Sequence, residues 1–320
     1  MLDSILSLLP HSLKKIIANL PNSIRTKLEE IRIREERPLE ISWAGDYSFV
    51  TKESGLVRDP LGAYIPTSEE CAILLELLTN HSVYSFEEEL RRGFITIAGG
   101  HRVGLAGRTV LEAGRVRTIR DVSSFNIRVA REIVGVGKII LPHLIDPIER
   151  RIHNTLIVSP PQQGKTTLLR DLARTISAGD KTALQGIPRG LKVGVVDERS
   201  EIAASVKGVP KFDLGPRTDV LDGCPKAEGM MMMIRSLSPE LIVVDEIGRP
   251  EDAEALHEAL HGGISVIATA HGYGMADIKL RPVLRELIAE KLFTRYVVLS
   301  LRRGIERSFQ IYDGEGQLVP

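Results

Sequence analysis

The chain has 320 residues, enough for two domains of ordinary size, and its 43% hydrophobic and 26% charged residues are the balance of a folded protein rather than a disordered one. Lys plus Arg and Asp plus Glu each total 42, so the formal net charge is zero. No global field draws such a chain to nucleic acid or to an anionic membrane, and any basic patch must be local.

The first ten residues, Met1 to Pro10, carry an acid and lack both a basic leader and a small-residue cleavage site. No apolar run approaches the ~18–20 residues that cross a bilayer. Cys71 and Cys224 are far apart, lack metal-ligand spacing, and read as free thiols of a reducing compartment. These signs predict a cytoplasmic protein whose membrane association, if any, is peripheral.

Helical spacing runs from residue 12, with Leu13, Ile16, Ile17 and Leu20 on one stripe, and Pro21 breaks it. Leu28, Ile31 and Ile33 lead toward a strand expected near Leu39. A capping signal, Ser68-Glu69-Glu70, precedes a second helix through Ile73, Leu74, Leu75, Leu77 and Leu78, and a third from Ser85 to Leu90 ends near Gly93. The period then changes to that of strands, over Phe94–Ile97, Arg102–Arg108 and Phe125–Val129. Residues 1–136 are therefore expected to form an α+β domain, and the glycines at 135 and 137 with Pro142 predict a linker over 137–152. From 153 to 320, strand candidates at 155–158, 192–197, 241–245, 264–270 and 295–301 alternate with helices, the pattern of a mainly parallel sheet covered on both faces. Met230-Met231-Met232-Met233 reads as pliable helix core.

The apolar run Thr155-Leu156-Ile157-Val158 delivers the chain to Ser159-Pro160-Pro161-Gln162-Gln163-Gly164-Lys165-Thr166, and a helical run begins at Thr167. A strand, a tight loop and a helix whose positive end faces the loop form a phosphate-binding device. Ser159, Pro160, Pro161, Gln162, Gln163, Gly164, Lys165, Thr166 and Thr167 are the candidate nucleotide contacts. Lys165 supplies a point charge and Thr166 a hydroxyl for Mg²⁺, so the expected ligands are ATP and Mg²⁺. Ser159 stands where the motif usually has glycine, and its Cβ is expected to crowd the loop and weaken affinity.

A second element, Pro239-Glu240-Leu241-Ile242-Val243-Val244-Asp245-Glu246, is a buried-strand run ending in two carboxylates. Adjacent acids at a buried tip call for a cation. Asp245 is the candidate Mg²⁺ partner and Glu246 the candidate to polarise the attacking water, which makes a P-loop ATPase the reading of the two motifs together.

Beyond these, Val195 to Glu201 resembles the acidic box of the secretion and pilus-motor ATPase superfamily, Met233 to Pro239 its arginine-bearing helix, and Val266 to Gly272 its histidine-box strand. Phe86 to Arg91, Gly99 to Arg108, Val196 to Glu201 and Val244 to Arg249 are similar to a sporulation branch of that superfamily in endospore-forming bacteria. The resemblance implies a RecA-like P-loop core after a smaller N-terminal α+β domain, and a homohexameric ring that hydrolyses ATP. It also implies membrane-protein partners in a sporulation channel between mother cell and forespore. It places Asp197 and Glu201 on a strand beside the P-loop strand, each a candidate for metal or lytic water, the alternative being a charged loop neutralised by Arg199. His271 is a candidate sensor of the terminal phosphate, with Thr269 as its companion, and the alternative is a satisfied core histidine. Arg102, Arg108, Arg128 and Arg131 are candidates to reach nucleotide, often in trans.

Two other classes remain. A RecA-like ATPase acting on nucleic acid gains little support from neutral charge and 4% aromatic residues. A nucleotide-binding scaffold without turnover is the other.

Overall fold

A computed structural model describes residues 2–319 apart from 81, 83–85, 131–132, 162, 180–183, 185–186, 188 and 301–307. The chain divides into two compact units, Met1–Arg131 and Glu132–Pro320.

The first unit opens with three short helices, α1 (Leu2–Leu6), α2 (His11–Ala18) and α3 (Asn22–Arg25). Strands β1 (Leu28–Arg34), β2 (Glu40–Trp43), β3 (Asp46–Val50) and β4 (Leu56–Val57) follow, then helices α4 (Ser68–Leu78) and α5 (Glu87–Arg92). Strands β5 (Phe94–Ile97), β6 (His101–Glu112) and β7 (Arg115–Arg128) complete an antiparallel sheet of order β4-β3-β2-β1-β7-β6-β5. Leu28, Ile31 and Ile33 lie within β1 itself and are buried, so that strand begins well before Leu39, where it was expected. The α4 cap is Thr67 rather than Ser68: its hydroxyl accepts from the Glu70 backbone at 3.2 Å while Glu70 accepts from the Thr67 backbone at 2.9 Å.

The strand candidates at 102–108 and 125–129 belong to one long hairpin, β6–β7. It turns at Ala113 and Gly114, both with positive φ, the turn whose twist matches the strands. A bulge between Ala106 and Arg108 brings the backbones so close that a Cβ on Gly107 would lie 2.6 Å from the Asp121 carbonyl.

The second unit begins with α6 (Gly137–Ile140), β8 (Ile145–Asp146) and β9 (Arg151–Ile152). Strand β10 (Thr155–Ser159) feeds helix α7 (Lys165–Ala178), followed by β11 (Val193–Asp197), β12 (Thr218–Asp222), α8 (Lys226–Ser236) and β13 (Leu241–Val244). Then come α9 (Pro250–His261), β14 (Ser265–His271), α10 (Met275–Ile278), α11 (Pro282–Ala289), β15 (Arg295–Ser300) and β16 (Ser308–Asp313). The sheet order is β12-β11-β13-β14-β10-β15-β16, parallel throughout except for β16. It is an α/β fold: a P-loop core with a mainly parallel sheet, preceded by an α+β domain.

Alternate strand residues serve opposite cores. Ile157, Val243 and Ile267 pack with Leu168, Leu169 and Leu172 of α7 on one face. Leu156, Val158, Ile242 and Val244 pack with Met230 and Met233 of α8 and Leu256 of α9 on the other. Burial on both faces is why the central strands read as continuous apolar runs.

The stretch expected as a linker, 137–152, is folded into this unit. Ile140, Leu141, Leu144, Ile145 and Ile152 are buried in the α7-side core, and the Asp171 carboxylate accepts from the backbones of Gly135 at 2.9 Å and Gly137 at 2.7 Å. A segment with that much apolar surface gains more from packing than from remaining extended in water. The sheet order corrects a second expectation: β11 is separated from the P-loop strand β10 by β13 and β14, because β10 pairs with β14 and β15.

Candidate active site

Strand β10 ends at Ser159, and Gly164, with φ of 88°, turns the chain into α7 through a conformation that a side chain would strain. Lys165 is 6% exposed. Its ammonium donates to the carbonyls of Ser159 at 2.9 Å and Pro160 at 3.1 Å, and lies 3.0 Å from His271 Nδ1. Burial pushes the Lys165 pKa down, opposed by the nearby carboxylates of Asp245 and Glu246. Pro161, Gln163 and Thr167 lie on the loop and the first turn of α7, while Gln162 falls outside the described residues.

Ser159 enters this loop without backbone strain. It is fully buried, pairs in register with His271, and is not among the residues with positive φ, so nothing in its backbone demands glycine. Its hydroxyl donates to the Pro160 carbonyl at 2.9 Å.

The tips of β13 and β14 close the site. Thr166 Oγ1 donates to Asp245 Oδ2 at 2.9 Å, and Thr269 Oγ1 donates to Asp245 Oδ1. The same Thr269 hydroxyl accepts from the Glu246 backbone N–H at 2.8 Å. Thr269 is therefore the partner of the two acids rather than the companion of His271 that the sequence suggested. His271 Nε2 stands 3.2 Å from Glu246 Oε1. An ammonium can only donate, so Nδ1 accepts from Lys165, leaving Nε2–H to donate to Glu246. Lys165, His271 and Glu246 thus form one hydrogen-bonded chain.

Glu246 has φ of 52°, a left-handed backbone that costs a non-glycine residue of order 1–3 kcal/mol. Arg199 Nη1 meets its other oxygen, Oε2, at 2.5 Å. This pairing was missed in the sequence, where Arg199 was set against Asp197 and Glu201; only the adjacency of β11 and β13 brings it to Glu246.

Asp197 is 2% exposed and its carboxylate is spent on its own loop. Oδ1 accepts from the Glu201 backbone at 2.9 Å, and Oδ2 from Ile202 at 3.0 Å and Ala203 at 2.8 Å. Burial raises its pKa to about 6 against the pull of those N–H groups. The Glu201 carbonyl accepts from Arg170, whose guanidinium stacks 3.8 Å over the Phe212 ring. Asp197, Glu198, Arg199, Glu201, Lys226, Asp245 and Glu246 line one cleft.

The candidate arginines of the first unit sit on its hairpin. Arg102 and Arg128 are register partners on β6 and β7, Arg102 lies 3.6 Å over the Phe94 ring, and Arg108 pairs with Asp121 at 2.7 Å. Arg131 falls outside the described residues.

The donor set fits Mg²⁺ and a nucleoside triphosphate. Among the described residues no three His, Cys, Asp or Glu side chains converge as a self-sufficient metal site. Mg²⁺ held by one carboxylate, one hydroxyl and phosphate oxygens needs none. No helix among the described residues is long and apolar enough to cross a membrane.

Comparison with known proteins gives the fold and the family. The chain resembles the ATPase DotB of Yersinia pseudotuberculosis with a TM-score of 0.62 and 12% identity, over 95% of this chain and 80% of that one. It resembles the pilus retraction motor PilT, solved with bound ADP, with a TM-score of 0.55 and 14% identity over 91% and 79% of the two chains. At these identities the likeness establishes the fold. In sequence it is 47% identical over 318 residues to the stage III sporulation protein AA of Bacillus subtilis (strain 168), covering 99% of this chain and 97% of that one. The family model for sporulation stage III, protein AA matches residues 2–319, and the chain belongs to that family.

Proposed function

We propose that the chain is an ATPase of the secretion-motor type that hydrolyses Mg-ATP to ADP and phosphate. The observation that carries this reading is the meeting of the P-loop with the acidic strand tip, Thr166 on Asp245 and Lys165 on Glu246 through His271.

In this reading Gly164 and the N-terminus of α7 turn backbone N–H groups toward the phosphates, and Lys165 neutralises their charge. Thr166 and Asp245 would hold Mg²⁺. Bound there, the ion supplies charge neutralisation across the phosphate oxygens. Glu246 orients the attacking water and takes up its proton, and His271, bonded to both Lys165 and Glu246, reports at Glu246 on where Lys165 stands. Asp197 and Glu201 build the neighbouring loop.

The family supports the finer reading of a homohexameric ring on the cytoplasmic face of a membrane, working with membrane proteins of a channel between mother cell and forespore. Arg102, Arg108, Arg128 and Arg131 are proposed to reach nucleotide on the strength of the superfamily resemblance alone. Phosphate release from Mg-ATP by the purified chain, compared with Lys165→Ala, tests the enzymatic reading. Equal release by the two would overturn it.

A further inference from the structure

The acidic segment after β11 does more than neutralise charge. Asp197 collects three backbone N–H groups, from Glu201, Ile202 and Ala203, within 3.0 Å. The residues on either side of Arg199 are also tied: Glu198 to Lys226 at 2.7 Å, and Ser200 Oγ to Asp222 Oδ1 at 2.7 Å. From behind, buried Arg170 binds the carbonyls of Ile202 at 2.6 Å and Glu201 at 2.7 Å. These bonds hold the segment to its own turn, to β12 and to α8. Arg199 reaches across to the next strand tip and takes Glu246 Oε2 at 2.5 Å.

Glu246 needs such a partner. Its left-handed backbone is fixed by Thr269, but the carboxylate is about one-third exposed and, without Arg199, would be restrained only by His271 at 3.2 Å. His271 is shared with Lys165, so it is a restraint that changes when the lysine engages phosphate. Arg199 meets no second carboxylate among the described residues.

We propose that Arg199 is a positioning residue for Glu246, and that the segment from Asp197 to Ala203 is the platform that delivers it. This rests on the reading of Glu246 as the residue that activates water. Misplacing a reacting group by about an ångström costs on the order of a hundredfold in rate. The loss of Arg199 therefore falls on the chemical step, while the P-loop contacts that hold nucleotide remain.

The test uses the full chain with Arg199→Ala, Arg199→Lys and Arg189→Ala, the last removing an exposed pair with Glu240 at the opposite end of β13. Single-turnover phosphate release is measured with enzyme in excess, and dissociation constants for Mg-ATP and Mg-ADP are measured separately. Arg199→Ala should slow release about tenfold to a hundredfold with both constants within about twofold of wild type. Arg199→Lys should recover part of the rate, and Arg189→Ala should behave as wild type. An unchanged rate in Arg199→Ala overturns the proposal. So does selective weakening of Mg-ATP relative to Mg-ADP, which would mean that Arg199 touches the terminal phosphate instead. A readout independent of nucleotide is the denaturation midpoint of the unliganded chain. Arg199→Ala should lower it by about 1–3 °C in the wild-type background and not in Glu246→Gln. Equal shifts in both backgrounds refute the pairing. Failure of the wild-type chain to bind Mg-ATP would refute the ATPase reading while leaving this last measurement intact.

Discussion

Lys165 Nζ and His271 Nδ1 lie 3.0 Å apart, joining the first residue of α7 to the last residue of β14. The contact follows from sheet order: β10 and β14 are parallel neighbours, and Ser159 stands opposite His271 in their register. In the proposed mechanism, a phosphate that draws the ammonium to itself removes the donor from Nδ1, and the imidazole carries that change to Glu246 through Nε2–H.

Mg-ATP should stabilise the chain by mass action, by about 2.7 kcal/mol at a hundredfold excess over its dissociation constant. Thermal denaturation with and without the nucleotide checks this, and Lys165→Ala should abolish the shift. A midpoint that rises equally in the variant would place binding elsewhere.

Glu246→Gln keeps the side chain's shape but exchanges one acceptor oxygen and the charge for an amide NH2, and it cannot take a proton from water. It should bind Mg-ATP like wild type and lose about a hundredfold or more in kcat, read from steady-state phosphate release. Normal turnover in this variant would move the role to another carboxylate of the cleft.

Because Ser159 sits in an unstrained extended conformation with its hydroxyl engaged, Ser159→Gly should not improve nucleotide affinity. Added backbone freedom should cost about 0.5–1 kcal/mol of stability, measurable by denaturant titration. A gain in affinity would show that the side chain does crowd the loop.

Asp197 carries the clearest pH signature. Its pKa moves from an ordinary 3.8 to about 6 in the fold, so the folded state binds that proton more tightly than the unfolded state. Its contribution to stability is then largest below pH 4 and declines as pH rises to about 6. Asp197→Asn removes this slope, so the variant should gain stability relative to wild type across that interval. Denaturation free energies measured from pH 4 to 7 decide it, and parallel curves would contradict the assignment.

What the sequence made legible was what is contiguous. The P-loop is a strand, loop and helix in one segment, and the Asp245-Glu246 pair ends a run whose burial on both faces shows as unbroken apolarity. What it hid depends on which strands become neighbours. The adjacency of β11 and β13 puts Arg199 on Glu246, and the separation of β11 from β10 takes Asp197 away from the P-loop strand. Thr269 turns to the acids because β14 pairs with β13 in a register that sets Val244 opposite Ala268 and so brings Thr269 beside Asp245. The edge strand β12 was missed for a local reason: Thr218-Asp219-Val220-Leu221-Asp222 is half polar, and its partly exposed position asks for no apolar run. The linker expected at 137–152 was read from its glycines and proline, although its isoleucines and leucines were already marking a core.

The most direct test of the account is phosphate release from Mg-ATP by the wild-type chain, followed as a function of protein concentration. The account predicts Mg²⁺-dependent release that is absent in Lys165→Ala. It also predicts release that rises more steeply than protein concentration, as a site completed by an arginine of a second subunit requires, since such an arginine is worth about 10³–10⁵ in rate. Absence of release at any concentration, or release untouched by Lys165→Ala, would contradict it.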